Sequence, residues 1–339
     1  MKEFVAWLTI NRNCNLHCMW CYQRKLANST QKMDKQLAFQ LIDLLAGLPV
    51  KFVVIMGGEP TLHPDFFDIV EYIKEKGLVA NVVSNSIRFA DDTFVSIAET
   101  AGLHGVTTSL KGSSEEEYLM SAGLCAFYST RKAIENLEAS RLKHRISVTV
   151  SGPIIANWQR MIGFVRSCKA KDFIFSFEKP TILGDDITFD DQMMPRRVAD
   201  FIERVMYPSL SGSEFKFKIE FVYPHCVFSD GFVERLETEG CAFGGCVLLK
   251  QNGIVFDTEG QVLPCNHFVT QPLGKFGMDF NTPNEFLKWR KNGMRQLFQI
   301  AGCAPDERCV TCDKWSRCGA GCRIFWLYRG ANELLPFLA

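Results

Sequence analysis

Hydrophobic residues in the first half of the chain follow two alternating patterns. Short runs rich in β-branched and aromatic residues predict six strands, at 4–10, 52–56, 79–83, 106–110, 146–150 and 173–177. Amphipathic stretches predict helices at 34–46, 65–76 and 157–169, and an interrupted helix from 115 through 131–141. Strands that alternate with helices are typical of a parallel sheet, and six such units indicate a partly closed barrel.

The second half of the chain has a less regular pattern. After residue 180 it predicts a helix at 195–207, a β-like run at 215–222 and a hairpin of 254–256 with 261–263. The hairpin connection ends in Gly260, which suits a tight turn. We therefore expect a barrel over residues 1–200, a bridging region over 201–240 and a cysteine-rich domain over 241–339.

Composition narrows the class of protein and its compartment. Hydrophobic residues make up 47% and charged residues 22% of the 339 residues, which is typical of a soluble globular protein. Lys plus Arg equals Asp plus Glu at 38 each, so neither nucleic acid nor a membrane surface is an expected partner. The sequence has no signal-peptide pattern and no apolar stretch of about 20 residues. We therefore expect a cytoplasmic protein.

Fourteen cysteines indicate metal binding, because disulfides are disfavoured in the cytoplasm. Cys14, Cys18 and Cys21 lie together in the segment CNLHCMWC, directly after the first predicted strand. A zinc site uses four ligands and a disulfide two cysteines, so this trio implies a remote fourth ligand or an open coordination position. Four-iron clusters usually have four cysteine ligands, so three cysteines would leave one iron open.

The segment CNLHCMWC resembles the cluster motif of radical SAM enzymes, including an aromatic residue, Trp20, before the last cysteine. Further family features follow the second, third and fourth predicted strands in order. They are Gly57-Gly58-Glu59-Pro60, Ser84-Asn85 and Ser109-Leu110-Lys111-Gly112. The resemblance covers residues 4–180 and implies an α/β fold, a partial (β/α)6 radical SAM barrel with its site at the carboxyl ends of the strands.

The resemblance also implies a cofactor chemistry. A 4Fe-4S cluster on the three cysteines would bind S-adenosylmethionine at its open iron. One electron, from a partner such as flavodoxin or ferredoxin, would release a 5'-deoxyadenosyl radical that abstracts a substrate hydrogen. The implied cofactor-binding residues are Trp20, Gly57, Gly58, Glu59, Pro60, Ser84, Asn85, Ser109 and Lys111.

Several of these residues have a specific expected role. Gly57 and Gly58 would let the backbone approach the methionyl amine, which Glu59 would orient by a charge-assisted hydrogen bond. Trp20 would stack on the adenine. Lys111 would either contact an anion or remain a solvated charge.

The cysteine-rich end of the chain resembles the SPASM extension, which carries auxiliary iron–sulfur clusters. Eight of the fourteen cysteines lie beyond residue 240, with the spacing of that extension, and the hairpin ends in Leu263-Pro264-Cys265. The resemblance implies one auxiliary 4Fe-4S cluster on Cys241, Cys246, Cys265 and Cys322, and a second on Cys309, Cys312 and Cys318.

The second auxiliary site departs from the family pattern, because residues 323–339 contain no cysteine. We expect Cys303 to supply the fourth ligand, and an open iron or the absence of this cluster are the alternatives. A zinc ribbon is a further alternative for the region, because closely spaced cysteine pairs also bind zinc.

The expected substrate is a peptide residue that becomes crosslinked or oxidised, because many relatives with this extension modify peptides. Either a separate leader-binding protein presents the peptide, or none is needed. Glu178, at the end of the sixth strand, would contact the substrate. Sulfatase maturation is not expected, because Asn266 stands where those relatives have an acidic residue after the cysteine matching Cys265.

Two other functions remain open. A dehydrogenase or epimerase would act on a small molecule such as a sugar alcohol, and in an epimerase Cys226 would donate the quenching hydrogen unless it is a buried core residue. A metal-binding scaffold without turnover is the second alternative. The three-cysteine motif with Gly57 to Pro60 argues against a scaffold, which has no need of an open iron.

Overall fold

A single sheet of eleven strands forms the centre of the fold. The structure, a computed structural model, describes residues 3–23, 26, 30–190 and 193–329. The strands are β1 (Phe4–Asn11), β2 (Val50–Gly57), β3 (Val79–Ser84), β4 (Gly105–Leu110), β5 (Lys143–Val150), β6 (Asp172–Phe177), β7 (Thr181–Leu183), β8 (Asp186–Thr188), β9 (Lys216–Phe221), β10 (Ala242–Gly244), β11 (Gly253–Phe256), β12 (Gln261–Leu263) and β13 (Gly274–Lys275). Only β7 and β8, among the described strands, form a separate two-stranded sheet.

Helices connect the strands and cover the sheet. They are α1 (Lys35–Ala46), α2 (Phe66–Glu75), α3 (Asp92–Ala101), α4 (Glu115–Ala122), α5 (Phe127–Ala139), α6 (Gly152–Ala156), α7 (Trp158–Ser167), α8 (Pro195–Phe201), α9 (Tyr207–Leu210), α10 (Phe232–Thr238), α11 (Val247–Lys250), α12 (Pro283–Gly293), α13 (Arg295–Gly302), α14 (Glu307–Val310), α15 (Trp315–Cys318) and α16 (Arg323–Tyr328). A π-helical turn, Ile202–Met206, joins α8 to α9.

The sheet order confirms the predicted α/β class. Its strands run β10-β9-β6-β5-β4-β3-β2-β1-β11-β12-β13. Every pair from β10 to β11 is parallel, and only the last two pairs are antiparallel. The six predicted strands correspond to β1–β6. Their carboxyl ends therefore meet at one edge, where parallel sheets bind ligands.

The helices differ more from the prediction than the strands do. The interrupted helix is two helices, α4 and α5, and the side chain of Ser114 caps α4 by accepting a hydrogen bond from the Glu117 amide. Helix α3 lies outside the predicted helices, although Asp91 caps it by accepting from the Thr93 amide. The Asp91 N-cap and the buried face of Phe94, Val95, Ala98 and Ala101 are the sequence signals of this helix.

Two buried hydrophobic clusters support the sheet. One packs β1–β4 against α1, α2 and α3, and the other packs β5, β6 and β9 against the helices that follow. Trp158 lies in the second cluster, with its ring centroid 5.6 Å from that of Phe175. Alternate residues of β3–β6 are buried in these clusters. This packing holds the strand ends in place, which suits a site built from the loops that follow them.

The predicted hairpin extends the barrel sheet beyond β1. Strand β11 pairs in parallel with β1, and Val255 lies opposite Leu263 of β12 in the hairpin. At the other edge, β9 and β10 extend the sheet beyond β6. Hydrogen bonding thus continues across the proposed domain limits at residues 200 and 240, which stay a prediction.

Among the described helices, none is both long and apolar enough to cross a membrane.

Candidate active site

The three clustered cysteines lie on a loop, residues 12–22, which we call the cluster loop. The backbone amides of His17 and Met19 donate hydrogen bonds to the carbonyls of Ala122 and Ser121, at 2.7 and 3.0 Å. The loop is therefore fixed to the C-terminal end of α4. It follows β1 directly, at the carboxyl edge of the sheet.

Cys14, Cys18 and Cys21 line a cavity of about 230 Å³, which we call the cofactor cavity. The Leu16 amide donates to the Cys14 sulfur at 3.4 Å. Burial nevertheless raises the pKa of Cys14 to about 12. A thiolate is therefore costly in this wall unless a bound cation stabilises it, and the site suits metal ligation with release of protons.

Two kinds of metal site use cysteine ligands, a single zinc ion and an iron–sulfur cluster. In the described part of the chain, no three His, Cys, Asp or Glu side chains converge on a point that could hold one metal ion. A single zinc needs its sulfur ligands at about 2.3 Å from one centre, whereas each cysteine of an iron–sulfur cluster binds a different iron. Three cysteines along one cavity wall fit the second arrangement.

Gly57 and Gly58 pack against the cluster loop. A Cβ at Gly57 would lie 2.3 Å from the Asn11 carbonyl oxygen, and one at Gly58 would lie 2.3 Å from that of Asn13. The amides of Gly58 and Glu59 also donate to these two carbonyls, at 2.9 and 2.7 Å. The glycines thus allow the end of β2 to approach the cluster loop. Both also line the cofactor cavity, and their contact with a methionyl amine stays a prediction.

Glu59 is buried behind the cavity wall, and the residues that line the cavity do not include it. Its carboxylate accepts hydrogen bonds from Thr61 N and Oγ1, at 3.1 and 2.7 Å, and from Ser84 Oγ and Asn85 N, both at 2.7 Å. Burial raises the pKa of Glu59, and these donors oppose that shift. The carboxylate therefore joins the loops that follow β2 and β3. Its contact with the cofactor amine stays a prediction. Pro60 begins a short 3-10 turn and also lies outside the cavity wall.

Ser84 and Asn85 follow β3 and do line the cofactor cavity. Asn85 Nδ2 donates to Asn15 Oδ1 of the cluster loop at 2.7 Å. Ser84 Oγ bonds the Glu59 carboxylate and accepts from the Ser86 amide at 2.8 Å. Two residues predicted as cofactor ligands therefore also hold the loops in place.

Lys111 is a buried cation at the cofactor cavity, with only 9% of its surface exposed. Its Nζ lies 5.7 Å from the centre of the Trp20 ring and donates to Ser109 Oγ at 2.5 Å. The alternative of a solvated charge does not fit this placement. A buried ammonium beside a ring and a hydroxyl suits the binding of a carboxylate.

Glu178 lies between the cofactor cavity and a second cavity of about 320 Å³, which we call the outer cavity. Burial, and next the charge of Asp190, raise the pKa of Glu178 to about 7. The neighbouring Lys179 lines both cavities and forms an ion pair with Glu220, with 2.8 Å between Nζ and Oε2. The site thus holds a carboxyl group that changes charge near neutral pH.

Three residues of the site were not predicted from the sequence, namely Tyr22, Lys179 and His267. His267 Nδ1 lies 3.0 Å from Thr181 Oγ1, and its ring centre is 5.5 Å from that of Tyr22. Burial, and next Lys179, lower the pKa of His267 to about 3. In the sequence, the position of His267 two residues after Cys265 was the signal that could have identified it as a residue of the site.

The cysteines of the first auxiliary site are only partly brought together. Burial raises the pKa of Cys265 to about 12, and the charges of Cys322 and Cys246 contribute further. The pKa of Cys241 is instead affected, after burial, by the charges of Glu239 and Lys218, and not by those of the other three cysteines. Three of the four predicted ligands therefore influence one another electrostatically. Their assignment as cluster ligands stays a prediction.

The predicted ligands of the second auxiliary site, Cys309, Cys312 and Cys318, line another cavity of about 320 Å³, which we call the C-terminal cavity. Cys226 lies in the same wall and does not line the cofactor cavity, so its position does not support a role as a hydrogen donor. Burial, and next Cys318, raise the pKa of Cys226 to about 11. Cys303 is exposed and lies outside this wall.

Sequence comparisons find a known family over the part of the chain that contains the cluster loop. Residues 8–165 match the radical SAM superfamily. GTP 3',8-cyclase of Chlorobaculum tepidum is 29% identical over 133 residues, which are 39% of this chain and 40% of that protein. Mycofactocin maturase MftC of Mycobacterium ulcerans is 29% identical over 139 residues, which are 41% of this chain and 37% of that protein. The matched region thus spans about two fifths of these relatives.

Solved structures extend the similarity to nearly the whole chain. Native anSMEcpe with bound AdoMet has a TM-score of 0.72 at 17% identity, covering 97% of this chain and 92% of that chain. SuiB of Streptococcus suis bound to its precursor peptide SuiA has a TM-score of 0.71 at 16% identity, covering 98% and 74%. At these identities the similarity shows the fold.

The cysteine loop and the cavity at the strand ends lie in or beside the part of the chain that the family model matches. Residues 8–165 form a radical SAM domain. The family match agrees with the predicted cofactors of this domain, S-adenosylmethionine and a 4Fe-4S cluster.

Replacement of Gly58 tests whether the glycine pair positions the cluster loop. We expect Gly58→Ala to destabilise the protein by about 1–3 kcal/mol, because its Cβ would collide with backbone. The rate of deoxyadenosine formation should decrease together with the stability. Thermal unfolding of the anaerobically reconstituted protein measures the first effect.

Gly163→Ala is the matched control, because no atom lies within 4 Å of a Cβ at this position. It should be neutral or stabilise α7 by up to about 1 kcal/mol. Equal unfolding midpoints and activities for the two variants would contradict the role given to Gly58.

Proposed function

We propose that this protein is a radical SAM enzyme that modifies a peptide residue, by crosslinking or oxidation. The single observation that carries the proposal is the outer cavity, which adjoins the cofactor cavity and shares Trp20, Cys21, Tyr22, Glu178 and Lys179 with it. A substrate segment in the outer cavity would reach the cofactor without displacing it.

Relatives support a peptide as the substrate. MftC is a maturase, SuiB has been solved with its precursor peptide, and anSMEcpe has been solved with a peptide and AdoMet. The outer cavity has Pro153 and Phe189 in its wall as well as Asp190. This mixture of apolar and acidic groups suits a peptide side chain with a polar end.

The cysteines would hold the iron–sulfur clusters. Cys14, Cys18 and Cys21 would bind the cluster that activates S-adenosylmethionine, with Lys111 placed to bind a carboxylate of the cofactor. When bound, these groups supply a 5'-deoxyadenosyl radical that abstracts hydrogen and the electron transfer that substrate oxidation requires. The first auxiliary cluster would use Cys241, Cys246, Cys265 and Cys322, and the second Cys309, Cys312 and Cys318.

The first auxiliary site would lie beside the substrate. Burial, and next the charges of Cys21 and then Cys265, raise the pKa of Tyr22. His267 lies two residues beyond Cys265 and lines the cofactor cavity. A cluster held by Cys265 would therefore be separated from the cavity by few side chains. This proximity supports an auxiliary role in oxidation.

Glu178 would accept the proton that leaves the substrate. Crosslinking and oxidation both remove a proton as well as a hydrogen atom and an electron. A carboxyl group with a pKa of about 7 is suited to proton transfer at neutral pH. Glu178 lines both cavities, so it would lie beside the proposed position of the peptide.

The function is tested with short peptides encoded beside the gene, prepared by synthesis and incubated anaerobically with enzyme, S-adenosylmethionine and reductant. We expect a peptide to lose the mass of two hydrogens. Cys14→Ala should abolish the change, because the cluster loses a ligand, and Cys125→Ala should retain it, because Cys125 is exposed and outside the described cavities. Turnover of sugar alcohols with no change in any peptide would contradict the proposal.

Replacement of Glu178 tests its role as a base. Below about pH 7 the carboxyl group is protonated and cannot accept a proton, so product formed per deoxyadenosine should rise as pH increases through about 7. Glu178→Gln should lower this ratio at least tenfold and remove the rise, while deoxyadenosine still forms.

Glu75→Gln, at the exposed end of α2, is the control and should keep the wild-type profile. An unchanged pH profile in Glu178→Gln would exclude Glu178 as the base.

A further inference from the structure

The C-terminal cavity contains four cysteines, although the family pattern supplies only three of its ligands from this sequence. Cys309, Cys312 and Cys318 come from one segment, and Cys226 comes from the short 3-10 turn His225–Val227. All fourteen cysteines of the sequence lie in the described residues. Cys226 is therefore the fourth cysteine of the cavity wall.

Backbone contacts fix the Cys226 segment against the segment of Cys318. The His225 amide donates to the Cys318 sulfur at 3.2 Å. The Cys322 amide donates to the Val222 carbonyl at 2.7 Å. A Cβ at Gly321 would lie 2.4 Å from that same carbonyl oxygen, so the two segments approach closely. The position of Cys226 in the wall thus follows from the packing of the backbone.

Cys303 is held elsewhere. It follows α13, its side chain is exposed, and its carbonyl accepts a hydrogen bond from Arg323 Nη2 at 2.6 Å. It does not line the C-terminal cavity. The other cysteines outside the assigned sites, Cys125 and Cys168, also lie outside this wall.

We infer that Cys226 is the fourth ligand of the second auxiliary 4Fe-4S cluster, completing the set of Cys309, Cys312 and Cys318. On binding, the Cys226 thiol gives its proton to solvent and its thiolate donates an electron pair to iron, with no change of oxidation state. This inference rests on the second auxiliary cluster of the proposed function. It implies that this cluster has no iron open to substrate and serves electron transfer.

The upstream position of the ligand has a structural consequence. Cys226 lies between β9 and α10, whereas Cys309–Cys318 belong to the cysteine-rich region. A cluster bound by both would link the bridging region to the C-terminal region. Its loss would therefore weaken the attachment of these segments as well as remove the irons.

The experiment compares four anaerobically reconstituted proteins, which are the wild type, Cys226→Ser, Cys303→Ser and Cys168→Ser. Iron and acid-labile sulfide are measured per chain, and EPR spectra are recorded before and after reduction. Cys226→Ser should lose about four irons or convert one cluster to a three-iron form with its own EPR signal. Cys303→Ser and Cys168→Ser should match the wild type.

Wild-type iron content and spectra in Cys226→Ser would overturn the inference, as would loss of the same cluster in Cys303→Ser. A wild type with about eight irons would also overturn it if Cys318→Ser leaves that iron content unchanged, because the second auxiliary cluster would then be absent. Deoxyadenosine formation is measured in the same samples. It tests the radical chemistry separately, and in Cys226→Ser it also shows that the barrel has folded.

Discussion

Glu59 joins the loops at the ends of β1, β2 and β3, through its buried carboxylate and its backbone carbonyl. Four donors reach its oxygens at 2.7–3.1 Å, from Thr61, Ser84 and Asn85. Its own backbone carbonyl accepts from Asn11 Nδ2 at 3.0 Å. Because an unpaired buried carboxylate would cost several kcal/mol, these loops are stable only when they come together. The cofactor cavity depends on that assembly.

The continuous sheet places Cys265 close to this cavity, near enough for its charge to act on Tyr22 of the cavity wall. Strand β11 pairs with β1, so the hairpin end that carries Cys265 returns to the edge of the sheet where the cluster loop lies. His267 and Tyr22 meet there, and Lys179 lies close enough for its charge to act on both Cys265 and Cys322. In the proposed function, radical formation and electron removal would take place in neighbouring parts of one fold.

Local patterns predicted the parts of the structure that local forces determine. Strands β1–β6, the β11–β12 hairpin and the cysteine loop each follow from a short stretch of sequence. Long-range packing determined the rest. The partner of β11, the burial of Lys111 over Trp20 and the approach of Cys226 to Cys318 join segments far apart in the chain. The spacing of motifs along the sequence also could not distinguish a glycine that lets a cofactor approach from one that lets another backbone segment approach. Gly58 suits close approach to a cofactor, but the carbonyl of Asn13 already requires it.

The most direct test of the account is the amount of 5'-deoxyadenosine formed per chain by the reduced wild-type protein, with iron, sulfide and zinc measured in the same sample. We expect deoxyadenosine formation from a protein with about twelve irons and no stoichiometric zinc. Stoichiometric zinc with little iron and no deoxyadenosine would contradict it and indicate a metal-binding scaffold.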